Sequence, residues 1–136
     1  MSLSALHISP TAFTPEVKFD PVAGKFEIKG RSISENAHEF YNPLIDWVKR
    51  YSENPADSTS VDVYFEYLNT SSSKSLMHFF NAFGTISGKD VNINWLHEKE
   101  DEAMKEAGED FNTIVNQWIN IDGNKTGVSF GIGIKR

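Results

Sequence analysis

Two short runs near the start of the chain alternate polar and apolar positions, Glu16-Val17-Lys18-Phe19-Asp20 and Lys25-Phe26-Glu27-Ile28-Lys29. Pro21-Val22-Ala23-Gly24 between them reads as a turn, so the pattern predicts a β-hairpin. Ala5-Leu6-His7-Ile8 reads as a short pairing segment before it, with Pro10 and Pro15 bounding a loop. The period then changes. Phe40, Leu44, Trp47, Val48 and Tyr51 recur at three- and four-residue intervals, which predicts a helix opened by the capping-type residues Ser34-Glu35-Asn36. Pro43 inside this stripe predicts a tight first turn or a kink. After the loop Asn54-Pro55-Ala56-Asp57-Ser58, the stretch from Val61 to Leu68 is the clearest strand, with Val61, Val63, Phe65 and Tyr67 on one face.

A polar run from Asn69 to Ser73 leads into a second helix burying Leu76, Phe79, Phe80 and Phe83, closed by Gly88. Val91, Ile93 and Trp95 mark another strand. An acidic helix follows from about Lys99 to Ala107, broken or bent at Gly108 before a second helical stretch, Asp110 to Trp118. Asp122-Gly123-Asn124 predicts a turn and Val128-Ser129-Phe130-Gly131-Ile132 a last strand; the tail 119–136 suggests no role beyond that strand. Strands alternating with helices across such crossovers imply a partly parallel sheet, and the opening hairpin makes it mixed. The expected fold is α/β: a single domain over residues 1–136, a mixed β-sheet with an N-terminal antiparallel hairpin and packed α-helices.

Composition narrows the class of protein. The chain has 136 residues with ten Phe, three Trp and four Tyr, enough apolar volume for a core without disulfides or metals. Cysteine is absent, which excludes a thiol nucleophile and any Cys-based metal site. No stretch approaches the roughly 20 apolar residues of a membrane helix. MSLSALHISPTAF lacks the basic and apolar regions of a signal peptide, so a cytoplasmic location is expected, without membrane insertion. A net charge of −6 sets the surface against phosphate backbones and argues against nucleic-acid binding.

One segment carries pointed chemistry. Leu68-Asn69-Thr70-Ser71-Ser72-Ser73-Lys74 joins the best strand to the second helix and places four hydroxyls in a row. One role for them is capping, a side-chain oxygen accepting from a free amide of the first turn. The other is phosphorylation: a phosphate there meets unsatisfied N–H groups and the positive end of the helix dipole. It adds nearly two negative charges to a short loop, which alters a docking surface without unfolding the domain. Lys74 is placed to help neutralise it. The same helix N-terminus, residues 69–74, also suits a small-molecule or anion-binding domain, and a purely structural subunit would use the hydroxyls only as a cap.

Four pieces carry a family resemblance: ISPTAFTPEVKFD (Ile8 to Asp20), SENAHEFYNPLIDWV (Ser34 to Val48), YFEYLNTSSSKSLMHFF (Tyr64 to Phe80) and EAGEDF (Glu106 to Phe111). In this order they resemble the SiaC family of bacterial regulatory phosphoproteins, and NTSSSK is the most specific of them. The resemblance implies a fold similar to anti-sigma-factor antagonists of the STAS type, and a non-enzymatic role in partner switching. A protein Ser/Thr kinase would phosphorylate the loop hydroxyl and a metal-dependent Ser/Thr phosphatase would remove the phosphate. The unphosphorylated form would bind and stimulate a diguanylate cyclase, feeding cyclic di-GMP signalling in biofilm and aggregation control. The family's phosphorylated Thr matches Thr70, with Ser71 and Ser72 as alternatives; Asn69, Ser73 and Lys74 complete the loop that contacts phosphate or partner. No cofactor is implied.

Other clusters suggest less. The stretch Glu98 to Asp110 holds seven acids and two lysines, but helical period scatters them and no calcium-loop spacing appears. A solvated face is the simpler reading, with partner docking the next, and an Asp101–Lys105 pair adds helix stability. His7, His38, His78 and His97 share no metal-ligand pattern. No Gly-x-Ser-x-Gly elbow is present. Gly131-Ile132-Gly133 lacks a third glycine and a following helix, so it reads as a terminal strand with glycines at a bulge or edge. Trp47, Trp95 and Trp118 read as core or half-buried anchors.

Overall fold

A computed structural model gives the structure of the protein and describes residues 3–86, 88–119 and 127–136. Among the described residues six strands form one sheet in chain order: β1 Leu6–Ile8, β2 Glu16–Asp20, β3 Lys25–Ser32, β4 Ser58–Leu68, β5 Asp90–His97 and β6 Val128–Ile134. β1, β2 and β3 pair antiparallel; β3 through β6 are parallel. Among the described residues three α-helices lie on the parallel crossovers: α1 Ala37–Tyr51, α2 Thr70–Ala82 and α3 Glu102–Ile119. A sheet that grows in one direction through right-handed crossovers receives all its helices on one face.

Strand alternation builds the core on that face. Val17, Phe19, Phe26, Ile28, Val61 and Val63 are buried against Leu44, Trp47 and Val48 of α1 and Leu76 and Phe79 of α2. The opposite face is polar: Asn94 Nδ2 donates to Asp62 Oδ1 at 2.8 Å, and Ser129 donates to Asn92 at 2.6 Å. On it the Tyr64 hydroxyl donates to Glu98 at 2.6 Å. That bond, with partial burial and nearby carboxylates, pushes the Tyr64 phenol up to about 12. The expected mixed sheet, N-terminal hairpin and packed helices are therefore all present. Gly24 closes the hairpin at φ +67°, with its Cβ direction filled by the Ser58 carbonyl 2.3 Å away, so only glycine fits.

Several local expectations change. Tyr67 leaves the face it was expected to share with Phe65: Gly30 pairs with Phe65 but Arg31 with Tyr67, so Glu66 is an extra residue. This bulge turns Tyr67 outward, where the Arg31 guanidinium lies 4.9 Å from its ring centroid. Helix α1 runs through Pro43, which stands on the exposed side. Helix α2 passes into a 3-10 turn, Phe83–Thr85, so that turn, and not Gly88, closes it. Helix α3 starts at Glu102, because the Asp101 carboxylate caps it by accepting from Met104 N at 3.0 Å. The expected Asp101–Lys105 ion pair does not form among the described residues. The turn at Asp122-Gly123-Asn124 and the side chain of Trp118 lie outside the described residues.

Gly108 does not break α3, which is continuous across it. It marks a close approach: a Cβ there would lie 2.4 Å from Trp95 Cδ1. The Trp95 ring is fully buried, and its Nε1 donates to the Met104 carbonyl one turn earlier in α3, at 2.9 Å. Alanine improves helix propensity by about 1 kcal/mol over glycine. Gly108→Ala is nonetheless expected to destabilise the domain by about 1–3 kcal/mol, since overpacking against an immobile indole outweighs propensity. Urea unfolding checks this; an increase in stability would mean that Trp95 has room to move.

Candidate functional site

The pointed segment lies where β4 delivers the chain to α2. Asn69 is the single residue between them, extended at φ −91°, ψ 173°. It is among the best helix N-caps because its short side chain reaches the first-turn amides. Its Oδ1 accepts from Ser72 N at 2.8 Å, and its Nδ2 donates to the Ser34 carbonyl at 3.1 Å. Capping therefore belongs to Asn69, and none of the four hydroxyls that follow is the cap.

Those hydroxyls separate by helical geometry. Ser71 Oγ donates to the Glu35 carbonyl at 3.1 Å and accepts from Ala37 N at 3.4 Å. It thereby caps α1, whose own N-cap residue Asn36 makes no side-chain cap bond. Ser72 is fully buried and accepts from Ser32 Oγ at 2.8 Å. Ser32 in turn bonds the Tyr41 hydroxyl at 2.7 Å. Burial pushes the Tyr41 phenol well above its ordinary value, so it stays a neutral donor in this chain. Ser73 Oγ donates back to the Asn69 carbonyl at 3.1 Å.

Thr70 differs from all three. It is exposed at the first helical position, and among the described residues its hydroxyl makes no hydrogen bond. Lys74, one turn later, is exposed and without an ion pair among the described residues. Both border a groove of about 380 Å³ between α2 and α3. Its floor is apolar, from Met77 of α2 and Ala107, Phe111 and Ile114 of α3; Ser73 and Asp110 complete the polar mouth. The structure thus brings Thr70, Ser73 and Lys74 to one groove and turns Ser71 and Ser72 toward α1 and β3.

The Ser32–Tyr41–Ser72 chain joins β3, α1 and α2 and had no signal in sequence, since its members are nine and 40 positions apart. Removing Ser72 Oγ leaves the Ser32 proton buried without its acceptor. Ser72→Ala is therefore expected to cost about 1–3 kcal/mol in chemical denaturation. A neutral result would show that the network relaxes.

Among the described residues no cluster of His, Asp or Glu is arranged to hold a metal, and no helix is long and apolar enough to cross a membrane.

Comparison with known proteins accords with this geometry. The model of the SiaC family of regulatory phosphoproteins matches residues 8–123. An uncharacterized protein of Pseudomonas aeruginosa is 32% identical over 111 residues, 80% of this chain and 88% of its own. The crystal structure of apo-SiaC from P. aeruginosa superposes with a TM-score of 0.76 at 29% identity, covering 98% of this chain and 100% of that one. SiaC bound as activator to the diguanylate cyclase SiaD, also from P. aeruginosa, gives 0.79 at 28% identity, over 96% and 99% of the two chains. With residues 8–123 matched by the family model, this chain belongs to the SiaC family of regulatory phosphoproteins.

Proposed function

We propose that this protein is a non-enzymatic, cytoplasmic regulatory subunit that activates a diguanylate cyclase when Thr70 is unmodified and releases it when Thr70 is phosphorylated. A protein Ser/Thr kinase transfers the phosphoryl group of a nucleoside triphosphate to Thr70 Oγ1, and a metal-dependent phosphatase hydrolyses the ester. The observation that carries this reading is the state of the four hydroxyls. Ser71 and Ser72 are tied into bonds that join α2 to the start of α1 and to β3, and Ser73 bonds back to the Asn69 carbonyl, whereas Thr70 is exposed and unbonded. A kinase can reach Thr70 without undoing the fold. The activator role is supported by the likeness to SiaC in its complex with SiaD.

Switching then follows from charge. Phosphate adds nearly two negative charges at the rim of an apolar groove, while the helix dipole and the Asn69 cap keep α2 intact beneath it. Affinity for the output partner changes and stability does not. The test is affinity capture from the host lysate with three baits, wild type, Thr70→Ala and Thr70→Glu, followed by cyclase assays on the captured protein. A diguanylate cyclase held by wild type and Ala but absent from Glu is the expected result. Retention by all three baits, or by none, would remove Thr70 from the switch.

A further inference from the structure

We infer that a phosphate on Thr70 is held by Lys74 of the same helix, and that the pair closes the mouth of the groove between α2 and α3. This rests on Thr70 being the phosphorylated hydroxyl and deepens that reading by naming the group that receives the phosphate. Thr70 and Lys74 are four residues apart on α2, one above the other on the same face, with the acid on the N-terminal side of the base. That is the favourable order for a helical ion pair. Both line the same groove, so their approach runs along its opening and not around the far side of the helix. Neither side chain has another partner to give up among the described residues.

Besides Lys74, the receivers within reach are the first-turn backbone N–H groups of α2, which contribute equally in every side-chain variant. Ser71, Ser72 and Ser73 are committed elsewhere. The other charged side chain lining the groove is Asp110 of α3, whose carboxylate repels a phosphate and keeps it on the α2 side. A phosphothreonine presents three acceptor oxygens and the Lys74 ammonium three donors, so the pair is hydrogen-bonded as well as charged. Behind it lies the apolar floor of Met77, Phe111 and Ile114. An apolar side chain of the cyclase entering there would have to strip water from the ion pair or break it, and both are unfavourable.

The test uses full-length protein with phosphothreonine incorporated at position 70 during translation, titrated by phosphorus NMR. The second ionisation of the phosphate is ordinarily near pH 6. With Lys74 present it is expected about half a unit below its position in Lys74→Gln. Lys74→Arg should keep the lowered midpoint, and Asp110→Asn should lower it further. Lys105→Gln removes an exposed charge of α3 that does not line the groove, and should leave the midpoint nearly unchanged. A Lys74→Gln midpoint equal to wild type, or a shift matched by Lys105→Gln, overturns the pairing. Because the phosphate is installed directly, this outcome is independent of the switch itself: an intact shift in a protein that still binds its cyclase would count against Thr70 as the switch, and a missing shift against Lys74 alone.

Discussion

Phosphothreonine at position 70 is expected to weaken binding to the cyclase by roughly a hundredfold, about 3 kcal/mol, while Thr70→Ala binds within a few-fold of wild type. The size follows from what docking does to the new charge. Lys74 offsets only part of the phosphate charge, and the remainder, losing water in the interface without a further partner, costs about 2–5 kcal/mol. The alanine variant loses only an exposed hydroxyl that makes no bond, and the cap of α2 stays with Asn69, so its stability should change by less than about 0.5 kcal/mol. Calorimetric titration of the two proteins against the purified cyclase measures both affinities. Equal affinities would mean that the docking surface lies away from the start of α2. A loss in the alanine variant as well would mean that the hydroxyl itself is a contact.

The second large effect is structural. Trp95→Ala should destabilise the domain by about 3–5 kcal/mol, the range for removing a fully buried large aromatic. Three losses combine there. The indole ring centroid lies 5.0 Å from Phe111 and 5.7 Å from Phe65, and its removal leaves a cavity between α3 and the sheet. Its Nε1 bond to the Met104 carbonyl goes with it, and so does the surface against which Gly108 is shaped. Against a typical domain stability of about 5–15 kcal/mol, this is a large fraction. Since α3 supplies Ala107, Phe111 and Ile114 to the groove, the variant should also lose cyclase activation before it loses its sheet. Urea unfolding monitored by circular dichroism checks the first statement and a cyclase assay the second. A penalty under about 1 kcal/mol would show that α3 does not depend on Trp95 for its docking.

Much of this molecule was legible in one dimension. Period-2 alternation in Glu16–Asp20 and Lys25–Ser32 and the helical stripe of α1 are local signals, written wherever one face of an element is buried. The parallel pairing of the later strands follows from the helical crossovers between them, whereas the single-direction order β1 to β6 was not written in any local pattern. The hydroxyl run at the start of α2 was visible too, and Asn69 before it is a good cap by residue type alone.

Other features depended on partners distant in the chain, and the tertiary structure decided them. Gly108 suggests a helix break until Trp95, 13 positions earlier, is found beneath it. Tyr67 suits the buried face of β4 until the bulge opposite Gly30 turns it outward. The four adjacent hydroxyls are alike in sequence, and what distinguishes them is the 100° step of the helix, which aims each at a different neighbour. Ser71 meets the start of α1 and Ser72 meets Ser32, while Thr70 faces solvent at the groove with Lys74. Local sequence thus determined which elements form and where the run of hydroxyls sits. Only the packing of α1, β3 and α3 around α2 determined which hydroxyl is left exposed and unbonded, because hydrogen-bond partners and steric gaps are set by distance in space, not along the chain.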